Sequence, residues 1–188
     1  YGAVFTLHLK DGYTTTREDR KKIEASKVHV DYPTLEQSRT EDRELEPRVV
    51  LTVTNSDGDE VRRVEAPRSK GLHRVAWDLR YADKTPIELR ASEGSPWSPP
   101  SVGPLAAPGV YTVNAHVEHD GERRHVAGPV DFNVVPLNLS TFAAEDKQDV
   151  LDFQLKVSRL RRAVTGAMDV ARDAQSRIAH IRKAVEDT

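Results

Sequence analysis

From residue 150 onward, apolar residues return every three or four positions without a break in phase. Val150, Val157, Val164, Ala171, Ile178 and Val185 recur at seven-residue intervals, and Phe153, Leu160, Ala167, Ala174 and Ile181 do the same three residues later. A 3.5-residue repeat sustained in this way is a coiled-coil signature, with the first set at position a, mostly β-branched, and the second at d. The acids Glu145, Asp146, Asp149 and Asp152 crowd the start, and Arg177, Arg182 and Lys183 lie near the end. Both placements suit the helix dipole. Thr165-Gly166 interrupts the middle, and glycine costs about 1 kcal/mol relative to alanine in a helix interior. A hairpin turning there would shift the heptad phase. The phase is kept, so the expectation is one long helix over 143–187, roughly 65 Å at 1.5 Å per residue. Its apolar stripe cannot be stable alone in water, which predicts a helical partner in cis or in trans. The small residues of the middle (Ala163, Gly166, Ala167, Ala171, Ala174) permit close helix approach.

The rest of the chain is read mainly as β. Residues 2–10 alternate, with Ala3, Phe5, Leu7 and Leu9 on one face, and Asp11-Gly12 ends the strand. Residues 14–46 are polar and rich in helix formers. They predict an exposed helix at 15–27 and a weaker one at 34–44, a solvated excursion between strands. Then come RVVLTVT (48–54), a turn at Asn55-Ser56-Asp57-Gly58 with Asp57-Gly58 as a type I′ pair, and the returning EVRRVEA (60–66). In LHRVAWDLR (72–80), His73, Val75, Trp77 and Leu79 share a face. Six of the eleven prolines fall in 82–108, which therefore reads as a long loop. Strands 109–119 and 122–136 flank the Asp120-Gly121 turn. The strand spacing predicts an antiparallel β-sandwich.

Composition removes several functions. A formal charge of −2 argues against a dedicated nucleic-acid binder. Without cysteine there is no disulfide, thiolate metal site or thiol nucleophile. No apolar run approaches the roughly 18 residues of a membrane span, and no signal peptide is visible.

Few residues suggest chemistry. His116 and His119 lie on opposite strand faces and cannot easily share a metal, although His125 across the hairpin can approach one of them. Asn55, Asp57 and Asp59 are spaced like the start of a calcium loop, but no distal acid has the required spacing, so a hairpin turn is the reading. Trp77 reads as the core aromatic of the sandwich. Arg159, Arg161 and Arg162 read as a solvated helix face. Trp97, in GSPWSPPS, is the candidate ligand-binding residue: a tryptophan on a rigid loop can stack a sugar, or dock the loop on its own sandwich or on a neighbouring domain. No catalytic set, metal site or cofactor motif emerges.

The pieces RVVLTVTNSDGDEVRRV, GLHRVAWDLRY and GPLAAPGVYTV resemble the Ig-like domain of the flagellar hook-capping type. The match is closer to the C-terminal region of bacterial sortilin-like proteins with an Asp-box (BNR) β-propeller, often described as glycosyl hydrolases. There a YGAVFT-like strand follows the propeller, and a stretch resembling Phe153 to Ala167 follows the sandwich. The resemblance covers most of the chain and is weakest at 14–46. It implies a mainly β fold with α, an Ig-like antiparallel β-sandwich with a helical insert and a long C-terminal coiled-coil helix. The implied division is an N-terminal strand at 1–13, a polar helical insert at 14–46, the Ig-like sandwich at 47–137 and the long helix at 143–187. Tyr1 then opens the strand leading out of a propeller, and the chain is part of a longer protein. The resemblance further implies a non-catalytic module that packs on the propeller of the same polypeptide, with no catalytic residue in this chain. It also implies a secreted, periplasmic or cell-surface location. The alternative it implies is a carbohydrate-binding accessory domain using Trp97.

Overall fold

A computed structural model describes residues 2–26, 30–85, 102–137 and 146–187. The element order is β1 (Ala3–Leu9), α1 (Thr16–Ser26), α2 (Leu35–Arg43), β2 (Arg48–Thr54), β3 (Glu60–Ala66), β4 (Gly71–Trp77), β5 (Gly109–His119), β6 (Glu122–Val134) and α3 (Lys147–Glu186). Two antiparallel sheets result, one of β1–β4 and one ordered β3-β2-β5-β6. The fold is thus mixed β and α in a sandwich-like arrangement with a long C-terminal helix. The chain divides into two compact units, Tyr1–Leu79 with Pro108–Pro136, and Arg80–Ala107 with Leu137–Thr188.

In the first unit the two sheets bury each other's alternating residues. At one end Leu9, Val49, Ala66 and Val117 cluster, with Leu7, Tyr13 and Val75 packed against them. At the other end Trp77, 1% exposed, meets Tyr111 and Phe132 edge-on at ring separations of 5.5 and 6.1 Å. Phe132 also meets Phe5 edge-on at 5.3 Å. The central strand β2 is buried on both faces because polar side chains cover its outer side; Arg123 Nη2, for example, donates to Thr52 Oγ1 at 2.6 Å.

The two hairpin turns differ. At Asp120-Gly121 both residues have positive φ, 49° and 82°, and His119 pairs with Glu122, as the type I′ reading of a two-residue loop requires. At Asn55–Gly58 only Gly58 is left-handed, so the type I′ expectation for Asp57-Gly58 is corrected. Gly58 N donates to Asn55 O, and Asn55 Oδ1 accepts from Asp57 N and Asp59 N. The side chain thus builds an Asx turn, with a register shift beside it at Val53/Thr54. A second correction concerns β4. It stops at Trp77, and Leu79, at φ 58°, no longer shares the strand's face.

In the second unit Arg80 bridges to Leu105, Tyr81 N donates to Pro104 O at 2.9 Å, and Arg80 Nη1 donates to Gly103 O. Helix α3 begins at Asp146, whose side chain accepts from Gln148 N and Asp149 N, and runs without interruption to Glu186.

Candidate interaction surfaces

The forty residues of α3 make a rod of about 60 Å. All of its heptad seam is exposed: Phe153, Leu160, Ile178 and Ile181 are each about two-thirds exposed, and Ala167, Ala171 and Ala174 lie open between them. The residue α3 does bury is Leu151, 2% exposed, with Leu155 half-buried. These two occupy heptad positions b and f, so the a/d stripe plays no part in that burial. The polar faces carry short-range pairs along the helix, Arg177–Asp173 at 2.8 Å and Arg182–Glu186 at 3.0 Å. Arg159, Arg161 and Arg162 are exposed.

Gly166 lies within α3 at position c, and a Cβ added there meets nothing within 4 Å. Gly166→Ala is therefore expected to stabilise the helix by about 1 kcal/mol through backbone entropy alone. Thermal melts followed at 222 nm check this, and an unchanged or lower midpoint would contradict it.

A second surface lies where the sandwich opens. Among the described residues β1 pairs only with β4, leaving its other edge free. Ala3, Phe5 and Leu7 point inward yet are only half-buried, and Val130 of β6 is more than half exposed. A cleft of about 480 Å³ runs there, floored by Leu51, Val113 and Ala115.

A polar junction joins the insert to the β5–β6 turn. Glu44, just past α2, accepts Thr16 N at 3.0 and 2.8 Å through its two oxygens, and His119 Nε2 lies 3.1 Å from its Oε1. Asp120 Oδ1 accepts Leu45 N at 2.9 Å. Potential ligand atoms of Glu44, His119 and Asp120 lie within 4.8 Å of one another. Both carboxylates already accept backbone donors, so the set works as a hydrogen-bonded junction.

The insert is correspondingly more than a solvated excursion. Neither helix buries a residue, but Arg20 grips Glu41 with two bonds of 2.7 Å and also pairs with Glu24. Arg68 holds Glu18 with bonds of 2.9 and 2.8 Å and donates to Tyr13 O. Helix starts add local support. Thr34 and Gln37 form a capping box, and Thr15 and Glu18 exchange the same pair of bonds. Hydrogen bonding from Arg20 holds the Glu41 carboxyl below the ordinary carboxylate range, and Arg68 with Thr15 N does so for Glu18. Sequence reading missed these residues because pairings 21 and 50 positions apart leave no periodic trace.

Of the residues singled out in the sequence, the eleven seam positions share one exposed stripe. His116 and His125 meet across the hairpin at 5.4 Å, with Arg123 Nη2 3.3 Å from His116 Nδ1. Burial, the Arg123 charge and His125 push the His116 pKa down. Trp97 lies outside the described residues. Among those residues, no helix is long and apolar enough to cross a membrane. No family model, curated protein or solved structure matches the chain.

Proposed function

We propose that this chain is a non-catalytic structural and interaction module, an Ig-like sandwich bearing a coiled-coil arm, that associates through the seam of α3. One observation carries the reading: a continuous forty-residue helix presents an unbroken a/d stripe to solvent. A helix with so little of its own surface buried gains stability chiefly when that stripe is covered. The sequence resemblance extends the proposal to the parent, a sortilin-like Asp-box propeller protein of the cell exterior on which the sandwich packs. Asp-box repeats in the coding sequence upstream would support that extension, and their absence would sink it.

The test of the module itself is sedimentation. The chain should associate with rising concentration, and Leu160→Asp should weaken that association by roughly a hundredfold or more, since a carboxylate in a closed seam must be desolvated. A wild-type chain that stays monomeric with α3 fully helical, indifferent to Leu160→Asp, would overturn the proposal.

A further inference from the structure

Given the reading of α3 as an association surface, we infer that its partner is α3 of a second copy, packed antiparallel so that Val164 of each helix faces Ala167 of the other. Side-chain size carries the argument. In a parallel pair each layer repeats itself, so Ala167, Ala171 and Ala174 would form three successive alanine–alanine layers between bulky ones. Native cores do not leave such a gap unfilled. Turned antiparallel, a positions face d positions and the sizes interlock. Leu160 meets Ala171, Val157 meets Ala174 and Val164 meets Ala167. The remaining layers join Phe153 to Ile178 and Val150 to Ile181. Every alanine then faces a larger residue, and ten of the eleven seam positions pair, Val185 coming level with the N-cap Asp146.

Charge does not choose between the two arrangements. Flanking the parallel seam, Lys156 at g would face Arg161 at e of the second copy, and Arg177 would face Arg182, each twice per dimer. In the antiparallel pair g flanks g and e flanks e, so Lys156 meets Arg177 and Lys147 meets Arg182, again each twice. Asp169 and Asp173, level with the basic stretch Lys156–Arg162, lie at the outer positions f and c and do not flank the seam. At the centre, Ala163 at g comes beside Val170, 72% exposed in the single chain, which widens the apolar contact where the seam is narrowest.

The absence of cysteine permits a clean test. Gln154→Cys carrying a nitroxide label should report a label-to-label distance of about 35 Å in the antiparallel dimer, from 23 residues of offset at 1.5 Å each. A parallel dimer would set the labels level, at roughly one to two helix diameters. Packing gives an independent readout. Ala171→Leu crowds Leu160 in the antiparallel pair and should weaken the dimer roughly tenfold or more, and adding Leu160→Ala should restore it. In a parallel pair Ala171→Leu would fill a hole and tighten the dimer. A short distance with a tightened Ala171→Leu dimer overturns the antiparallel inference and leaves the association reading standing. A monomeric wild type overturns the self-pairing outright. If Leu160→Asp then changes nothing, the association reading falls with it.

Discussion

Trp77→Ala is expected to cost the sandwich about 3–5 kcal/mol, the range for removing a large buried aromatic. Trp77 is among the most completely buried side chains and sits where the two sheets meet, touching Tyr111 of β5 and Phe132 of β6 from β4. Its loss removes the edge-on contacts and leaves a void that neighbours cannot close without moving two sheets. Among the described residues the β1–β4 sheet has two strands, so it depends on this packing more than a wider sheet would. Urea unfolding followed by far-UV circular dichroism measures the change, and Trp77→Phe should lose distinctly less because a ring still meets Tyr111. A loss below about 1 kcal/mol for the alanine variant would mean that the Trp77 cluster is not what joins the sheets.

How far such features were legible follows from what kind of physics writes them. Trp77 and the strands around it could be read because alternation with period two is local, and because Asp120-Gly121 is a turn whose backbone demands leave few choices. The α3 seam could be read for the same reason at period 3.5, and continuity through Gly166 followed from phase alone. Gly58 misled because Asp-Gly has two solutions. The Asn55 side chain, accepting from two backbone amides downstream, selects the wider turn over the tight one. Leu79 misled because alternation was extended past the last paired residue. The junction of Glu44 with His119 and Asp120 left no sign, since its members come from two segments that neither hydropathy nor spacing connects. The free edge of β1 was equally hidden. Alternation shows which face of a strand is apolar but not how many strands cover it.

The insert offers the second large effect, because its hold on the sandwich is ionic and therefore removable by charge. Arg20→Ala should release α1 from α2 at neutral pH. Glu41, with its side chain 6% exposed, would be left without its guanidinium, and a carboxylate so enclosed is costly unless paired. Neither helix buries a residue of its own, so the ties that remain are polar: Glu44 to Thr16 N, Arg68 to Glu18 and Arg17 to Asp42. Tryptic cleavage at Arg17, Lys21 and Lys22 should accelerate by about tenfold or more, while cleavage beyond β2 stays slow. Acid should do to the wild type what the substitution does at neutral pH. The folded pKa values of Glu18 and Glu41 lie below their unfolded values, so their contribution is fully present above about pH 4.3 and is lost as pH falls through the folded values. The wild-type insert should thus stay docked at pH 5 and come loose only below about pH 4, with loss of helical ellipticity preceding the unfolding of the sheets. Arg20→Ala should already lack much of that ellipticity at pH 7 and show on acidification only a smaller step, from Glu18 losing Arg68. If α1 and α2 persist in Arg20→Ala, or if wild-type helices and sheets melt together as pH falls, the ion pairs are incidental and the insert is held by something other than charge.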